Sequence, residues 1–402
     1  MNSQEPPKIA DSGRHKRLLW VVPRFAGVTV GGAERLVAEL ATHATPPGWT
    51  SEIATTCAVN HYTWENALQP GEEQVGGVLV RRFAVGRRDR DRYEQLHPAI
   101  LAENAGYLDE LDWLSNSVWS PGLQRFLESE ADGYDLVLFA PYMFGTTVWG
   151  SQVAPERSAL VPCLHNEAYA RLETVRRMLS SVRGCLFNSP AEERLARGLA
   201  AIREGGVVGM GFDPPDAAPK ARFAEPRGLG RYVLYAGRIE EGKRVDVLVD
   251  YALRHAAESA AAPRLALIGS GTYVPPESAA EVVVHAGMLD EEARRAAYAE
   301  AVALVNSSEL ESLSIVLMEA WLEGTPALVA EGSEVMRDHA AASGGAFTFD
   351  SYESYRDGVQ RLLDDPSLAR RMGEAGKEYV LSSYGWPAVK RRLSETLDHL
   401  VA

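Results

Sequence analysis

Cysteine is scarce in this 402-residue chain: Cys57, Cys163 and Cys185 stand alone, and no Cys-x-x-Cys or Cys/His spacing joins them. That scarcity excludes a disulfide-stapled scaffold and a zinc site of ordinary ligand spacing, and it suits a reducing cytoplasm. Long apolar runs are missing too. No segment approaches the ~18 to 20 apolar residues a membrane span needs. The run that follows the polar tail of residues 1 to 16 is too short for a secretory signal. Positive charge is in deficit, with 41 Lys and Arg against 55 Asp and Glu and a formal charge of -14. Nucleic acid is therefore excluded as a partner, because such proteins need a basic face to displace counterions. Neither H-E-x-x-H, a Walker loop nor a nucleophile elbow is present, and the absence of a complete G-x-G-x-x-G weakens a dehydrogenase reading.

What the chain does have is alternation. In the first half, strand signals at Leu18 to Val22, Ser51 to Thr56, Val78 to Val85, Leu136 to Phe139, Leu160 to Leu164 and Cys185 to Asn188 are separated by helical stretches, including one through Leu111 to Leu127. A Pro-rich stretch follows, and a second alternating set begins at Tyr232. This length suits two domains, and the alternation predicts a parallel doubly wound sheet in each. The expected division is 1–212 for the first domain, 213–230 for a linker and 231–381 for the second, with 382–402 as a closing amphipathic helix. Two such sheets face each other across a cleft at the carboxyl ends of their strands, where ligands of open α/β folds bind.

The most informative stretch is Asn306 to Pro326, in which Glu311 and Glu319 stand eight positions apart. Ala301 to Val305 reads as a strand and Leu313 to Leu322 as a helix stopped by Gly324 and Pro326. A helix starting there directs the free amides of Ser314, Ile315 and Val316 at the strand end, forming an anion site flanked by two carboxylates. Glu319 lies ~7 to 9 Å further along the helix at ~1.5 Å per residue, the reach from a phosphate to a ribose diol. Upstream, Arg231 to Ala236 reads as a strand and Val245 to Arg254 as a helix, so Arg238 and Lys243 flank one crossover. Two cations on such a loop can clamp a diphosphate, Arg as a fork and Lys as a mobile point charge.

Taken in order, these elements resemble the second half of a glycosyltransferase of family 4, a retaining family of GT-B fold. The resemblance continues in Gly31-Gly32-Ala33-Glu34-Arg35 at the first helix, in Val207 to Asp213 at the domain junction and in Ala286-Gly-Met-Leu289, so it spans nearly the whole chain. It implies an α/β GT-B fold, two Rossmann-like doubly wound domains facing each other, with the closing helix crossing back onto the first. It implies a nucleotide diphosphate sugar of UDP or GDP type as donor, no further cofactor and no metal. Donor-binding residues would be Gly32, Arg238, Lys243, Met288, Glu311, Ser314, Ile315, Val316 and Glu319, and catalytic ones His165, Arg238, Lys243 and Glu311. His165, after the strand expected at Leu160 to Leu164, would sit beside the transferred sugar.

Some signals compete with this reading. Alternation along that strand places Cys163 and His165 on one face, which invites a Cys/His pair, although a thiol inside an apolar strand is ordinarily inert. Asp89-Arg-Asp91 has the spacing of a metal-binding carboxylate pair but sits among arginines that would compete with the metal. The family pattern has an aromatic and a glycine where this chain has Leu313-Ser314, and the Ser314 side chain is expected to narrow the donor pocket. The segment Arg81 to Arg92 carries six Arg against two Asp, with Arg171, Arg176, Arg177 and Arg183 further along. Such runs are solvated faces, or patches for an anionic acceptor or an anionic membrane.

The expected function is transfer of a sugar, with retention, to an acceptor hydroxyl on a sugar, a lipid-linked sugar or a small molecule. Polysaccharide, glycolipid or glycosylated natural-product synthesis would use such an enzyme, in the cytoplasm or peripherally at the inner face of the membrane. A nucleotide-sugar epimerase of the same fold and a non-catalytic nucleotide-sugar-binding module are the alternatives.

Overall fold

Two sheets carry the chain in a computed structural model that describes residues 15–25 and 31–402. The first 14 residues of the N-terminal tail lie outside the described residues. The first sheet contains β1 (Lys16–Arg24), β2 (Trp49–Thr56), β3 (Gly71–Val75), β4 (Val78–Phe83), β5 (Leu136–Phe139), β6 (Ser158–Leu160), β7 (Gly184–Phe187) and β8 (Glu204–Val207). Its order is β3-β4-β2-β1-β5-β6-β7-β8, and the hairpin β3-β4 at one edge is its antiparallel pair. The second contains β9 (Tyr232–Ala236), β10 (Arg264–Ile268), β11 (Val283–Gly287), β12 (Leu304–Asn306), β13 (Ala327–Ala330) and β14 (Ala346–Phe349), in the order β11-β10-β9-β12-β13-β14. Its paired strands all run parallel.

Parallel strands with helices on both faces must be apolar throughout, and Leu18 to Val22, Val233, Leu234 and Leu265 to Leu267 are fully buried. Strand order reverses beside β1 and beside β9, which opens a crevice at the carboxyl ends of both pairs. One apolar cluster joins the two units: Leu18, Trp20 and Leu36 share it with Met210, Phe212, Leu234, Trp321 and Trp386. The closing helix Trp386–Val401 lies against β8. Arg392 donates to the Val208 carbonyl at 2.8 Å, and Arg183 donates to that of Leu400 at 2.9 Å. No helix among the described residues is long and apolar enough to cross a membrane.

Several expected boundaries move. The helix read through Leu111 to Leu127 is two helices, Tyr107–Ser115 and Pro121–Glu130, because the Ser120 side chain caps Leu123 N-H just where Pro121 can start a helix. The strand expected from Leu160 to Leu164 ends at Leu160 as β6, since Pro162 has no N-H to offer the ladder. Cys163 then turns to φ +52°, so it and His165 do not alternate along one strand face. The strand expected at Ala301 to Val305 is β12 at Leu304–Asn306, and the following helix starts at Ile315 rather than Leu313.

Candidate active site

The last residue of β12 organises the loop that follows. Asn306 accepts from the Ser308 N-H at 2.9 Å and donates to the Ser314 hydroxyl at 3.3 Å, drawing both ends of the loop onto one side chain. Ser314 sits at φ +65°, which explains why a glycine would be at home there. Its side chain is buried, with its hydroxyl turned back on Asn306. Helix Ile315–Leu322 makes its first backbone bonds from Leu317 and Met318 to the Ser314 carbonyl, leaving the Ile315 and Val316 amides directed out of its end.

The loop after β9 is fastened to the same place. Ser307 donates to the carbonyls of Lys243 and Arg244 at 2.9 and 2.8 Å. Lys243 then reaches Glu311 at 3.0 Å, Ser308 at 3.1 Å and the Leu310 carbonyl at 2.9 Å. Burial pushes the Glu311 carboxyl up, but the Lys243 charge and hydrogen bond, helped by His165 and Ser308, hold it below the usual carboxylate range. Glu311 is thus an anion ordered as an acceptor. Arg238 stands apart from this pair: its half-exposed guanidinium lies on Glu240 at 3.1 Å. Tyr62, from the first domain, donates to the same Glu240. His61 beside it is driven down to about 4 by burial and by Arg24 and Arg238, so it is neutral at ordinary pH.

From the first domain, the turn after β6 brings His165 to Glu167 at 3.3 Å, and Tyr142 donates to the same carboxylate at 2.8 Å. Burial raises the Glu167 carboxyl, yet His165, Tyr142 and the charge of Lys243 bring it below its usual range. His165 and Lys243 therefore act electrostatically on each other's carboxylate partners. Cys163 is buried and its thiol is pushed up by desolvation, which leaves it no role as a nucleophile. Gly32 opens helix Gly32–His43, and a Cβ there would stand 3.9 Å from Ile315 Cδ1, so two helix N-termini face each other across the cleft.

Glu319 is placed differently. Its carboxylate takes Arg35 at 2.5 Å, the Tyr298 hydroxyl at 2.9 Å and Arg294 at 3.4 Å. A cavity of about 340 Å³ opens here, lined among others by Arg35, Glu39, Arg294, Tyr298, Glu319 and Trp386, and it is large enough for a nucleoside. Met288 follows the end of β11 and is 67% exposed. The sequence reading gave no role to Glu167, Arg35, Tyr298, Tyr62 or Glu240. Glu167 stands two places beyond His165 and Arg35 belongs to the quoted Gly-Gly motif, but the partners of both are set only by folding.

The arginines of 81–92 are largely paired. Arg81 meets Glu52 and Glu72, Arg82 meets Glu73, Arg90 meets Glu94, and Arg92 meets Asp112. Asp89 caps the helix Arg90–Leu101 by accepting from Arg92 N-H. Arg88 is half-buried, donates to the Asn116 and Thr63 carbonyls, and has its pKa lowered by burial.

Residues 219–379 match the profile of the family described as Glycosyl transferases group 1. This segment holds Arg238, Lys243, Glu311 and Glu319. Over 390 residues the chain is 25% identical to D-inositol 3-phosphate glycosyltransferase from Streptomyces avermitilis, covering 89% of this chain and 80% of that protein. Among solved structures, sucrose-phosphate synthase from Thermosynechococcus elongatus superposes with a TM-score of 0.72 at 16% identity, covering 96% of this chain and 99% of that one. Anabaena HepE in complex with UDP-glucose gives 0.69 at 14% identity, covering 96% and 100%. The fold is GT-B, and the family match supports a glycosyltransferase that uses a nucleotide-sugar.

Proposed function

We propose that this protein is a retaining glycosyltransferase of family 4, which transfers a hexose or related sugar from a UDP or GDP sugar to an acceptor hydroxyl. The observation that carries this reading is the partly buried Lys243–Glu311 pair at the open end of helix Ile315–Leu322. The diphosphate would lie between that helix end and the one at Gly32, its charge met by the Ile315 and Val316 amides, Lys243 and Arg238. These groups are aimed where charge grows as the sugar-phosphate bond breaks, so protein cations and amides supply the stabilisation assigned elsewhere to a metal. Glu311 would accept from sugar hydroxyls, and Glu319 from the ribose diol.

Retention follows from same-face attack. Glu311 is tied to Lys243 at 3.0 Å, which suits an ordered hydrogen-bond acceptor better than the nucleophile of a double displacement. The acceptor hydroxyl would approach from the first domain, beside His165 and Glu167. A nucleotide-sugar donor and a sugar or sugar-phosphate acceptor are supported by the similarity to D-inositol 3-phosphate glycosyltransferase, to sucrose-phosphate synthase and to HepE, which is seen with UDP-glucose. Because Arg81, Arg82, Arg90 and Arg92 are paired with carboxylates, recognition of an anionic acceptor or membrane by this segment would fall to Arg87 and Arg88.

Incubation with a panel of UDP and GDP hexoses and sugar or sugar-phosphate acceptors tests the proposal, with NMR of the anomeric proton of the product. Retained configuration supports it. Inverted product, or binding of every donor without turnover or hydrolysis, contradicts it, and exchange at sugar C2 without transfer would indicate an epimerase.

A further inference from the structure

Beneath His165 lies a carboxylate with no cation to explain it. Glu192 is 1% exposed, and no positively charged group of the described residues figures among the influences on its titration. It occupies the third position of helix Pro190–Leu199, whose cap is Ser189. In a capping box a glutamate at that position returns to the N-H of the cap residue itself. Here it passes over Ser189. One carboxylate oxygen accepts from the Asn188 N-H at 2.5 Å and the other from the Leu164 N-H at 2.6 Å. Helix capping accounts for neither bond to a different strand end. Burial drives this carboxyl up to about 8 against the two amides and the Asn188 side chain, so near neutral pH it is largely protonated, yet both of its oxygens still accept from a backbone N-H.

The two amides it joins bracket the working part of the cleft. Leu164 directly precedes His165 and follows Cys163, whose φ of +52° is costly for a residue with a side chain. Asn188 ends the segment after β7, and its side chain lies 3.6 Å from Cys163 Sγ and 3.5 Å from the hydroxyl of Ser312, the residue after Glu311. Backbone bonds tie Val161 to Phe139 and Pro162 to Tyr142, and past them the N-H of Leu164 is held by Glu192.

We propose that Glu192 is a positioning residue for the transfer reaction, holding the Cys163–Leu164 turn so that His165 faces the donor sugar. The proposal rests on the reading of His165 given above. Glutamine cannot replace it, because its amide nitrogen cannot accept from a backbone N-H, whereas the carboxyl offers lone pairs on both oxygens in either protonation state. Aspartate keeps the carboxyl but is one methylene short of Leu164.

The test is a double-mutant cycle of Glu192→Gln with His165→Ala, read as kcat for the UDP or GDP hexose that the wild type turns over fastest and as Kd and stoichiometry for the matching nucleoside diphosphate. Glu192→Gln should lower kcat about 10-fold or more, as misplacement of a reacting group does. Its Kd and stoichiometry should be unchanged, because the contacts proposed for the nucleotide do not include the Cys163–Leu164 turn. Once His165 is absent, adding Glu192→Gln should cost little more. Full turnover by a folded Glu192→Gln protein, or losses that multiply in the double variant, would overturn the proposal. If Glu192→Gln does not fold, Glu192→Asp takes its place under the same criteria, and failure of both to fold reduces Glu192 to a stability role. Normal turnover in His165→Ala alone would instead remove the reading of His165.

Discussion

The two sides of the cleft are built on different plans. On the second domain, Lys243, Ser308, Glu311 and the amides of Ile315 and Val316 are fixed to one another by bonds within that domain. On the first, His165, Glu167 and Tyr142 come from loops after different strands, and other residues reach across the gap, as Arg35 does to Glu319 and Tyr62 to Glu240. A side closed on itself is ready before the ligand arrives. A side whose charges bridge the domains must exchange those partners when substrate enters, which makes it the natural seat of closure and acceptor choice.

Breaking the prebuilt side should have the largest effect. Lys243→Ala removes a group proposed to meet the leaving diphosphate and should lower turnover by about 100-fold or more. It also leaves the partly buried Glu311 without its cation, at a cost below the ~3 to 5 kcal/mol of a fully buried pair. Because the native Glu311 pKa lies below its unfolded value, its stabilising contribution is present above the ordinary carboxylate range and is lost as pH falls through the native pKa. With Lys243 gone, burial is opposed only by His165 and Ser308 and raises that pKa, so acid unfolding should begin at a higher pH than in the wild type. Circular dichroism along a pH titration checks the shift, and an unmoved onset counts against it.

A loss confined to the first domain comes next. His165→Ala should cut turnover ~10- to 100-fold while the Kd for the nucleoside diphosphate stays within about 3-fold, since the contacts proposed for phosphate and ribose do not include His165. Equal losses in both would erase the contrast between the two domains.

Those two residues also show what could be read without a structure. Strand and helix periodicity predicted both sheets, because parallel strands buried on both faces must be written as short continuous apolar runs. The donor motif is compact for a physical reason: a helix end, its preceding loop and the strand before them are necessarily adjacent in sequence. Partnerships are not. Lys243 and Glu311 are 68 positions apart and Arg35 and Glu319 are 284 apart, so nothing local announces either pair. The turn at Cys163 was hidden by its apolar neighbours, although Pro162 was the signal that the ladder stops.

Smaller effects test the exchange of partners. Glu319→Ala should weaken nucleoside diphosphate binding by ~1.5 to 3 kcal/mol per charge-assisted bond lost, with the fold intact. Arg35→Ala should move affinity the other way, tightening binding by up to ~1 kcal/mol, a surface-pair magnitude, because the ribose no longer competes with a guanidinium for Glu319. Calorimetric titration of both variants separates these signs. Weaker binding in Arg35→Ala would make Arg35 a ligand contact rather than a displaced partner.

The central claim is that the second domain holds a nucleotide-sugar through Lys243 and the helix that begins at Ile315. Thermal-shift titration of wild type and Lys243→Ala with UDP and GDP hexoses tests it most directly. One donor at 100 times its dissociation constant should stabilise the wild type by about 2.7 kcal/mol, and the same concentration should give Lys243→Ala much less. No shift of the wild type with any donor, or equal shifts in both proteins, would contradict the account.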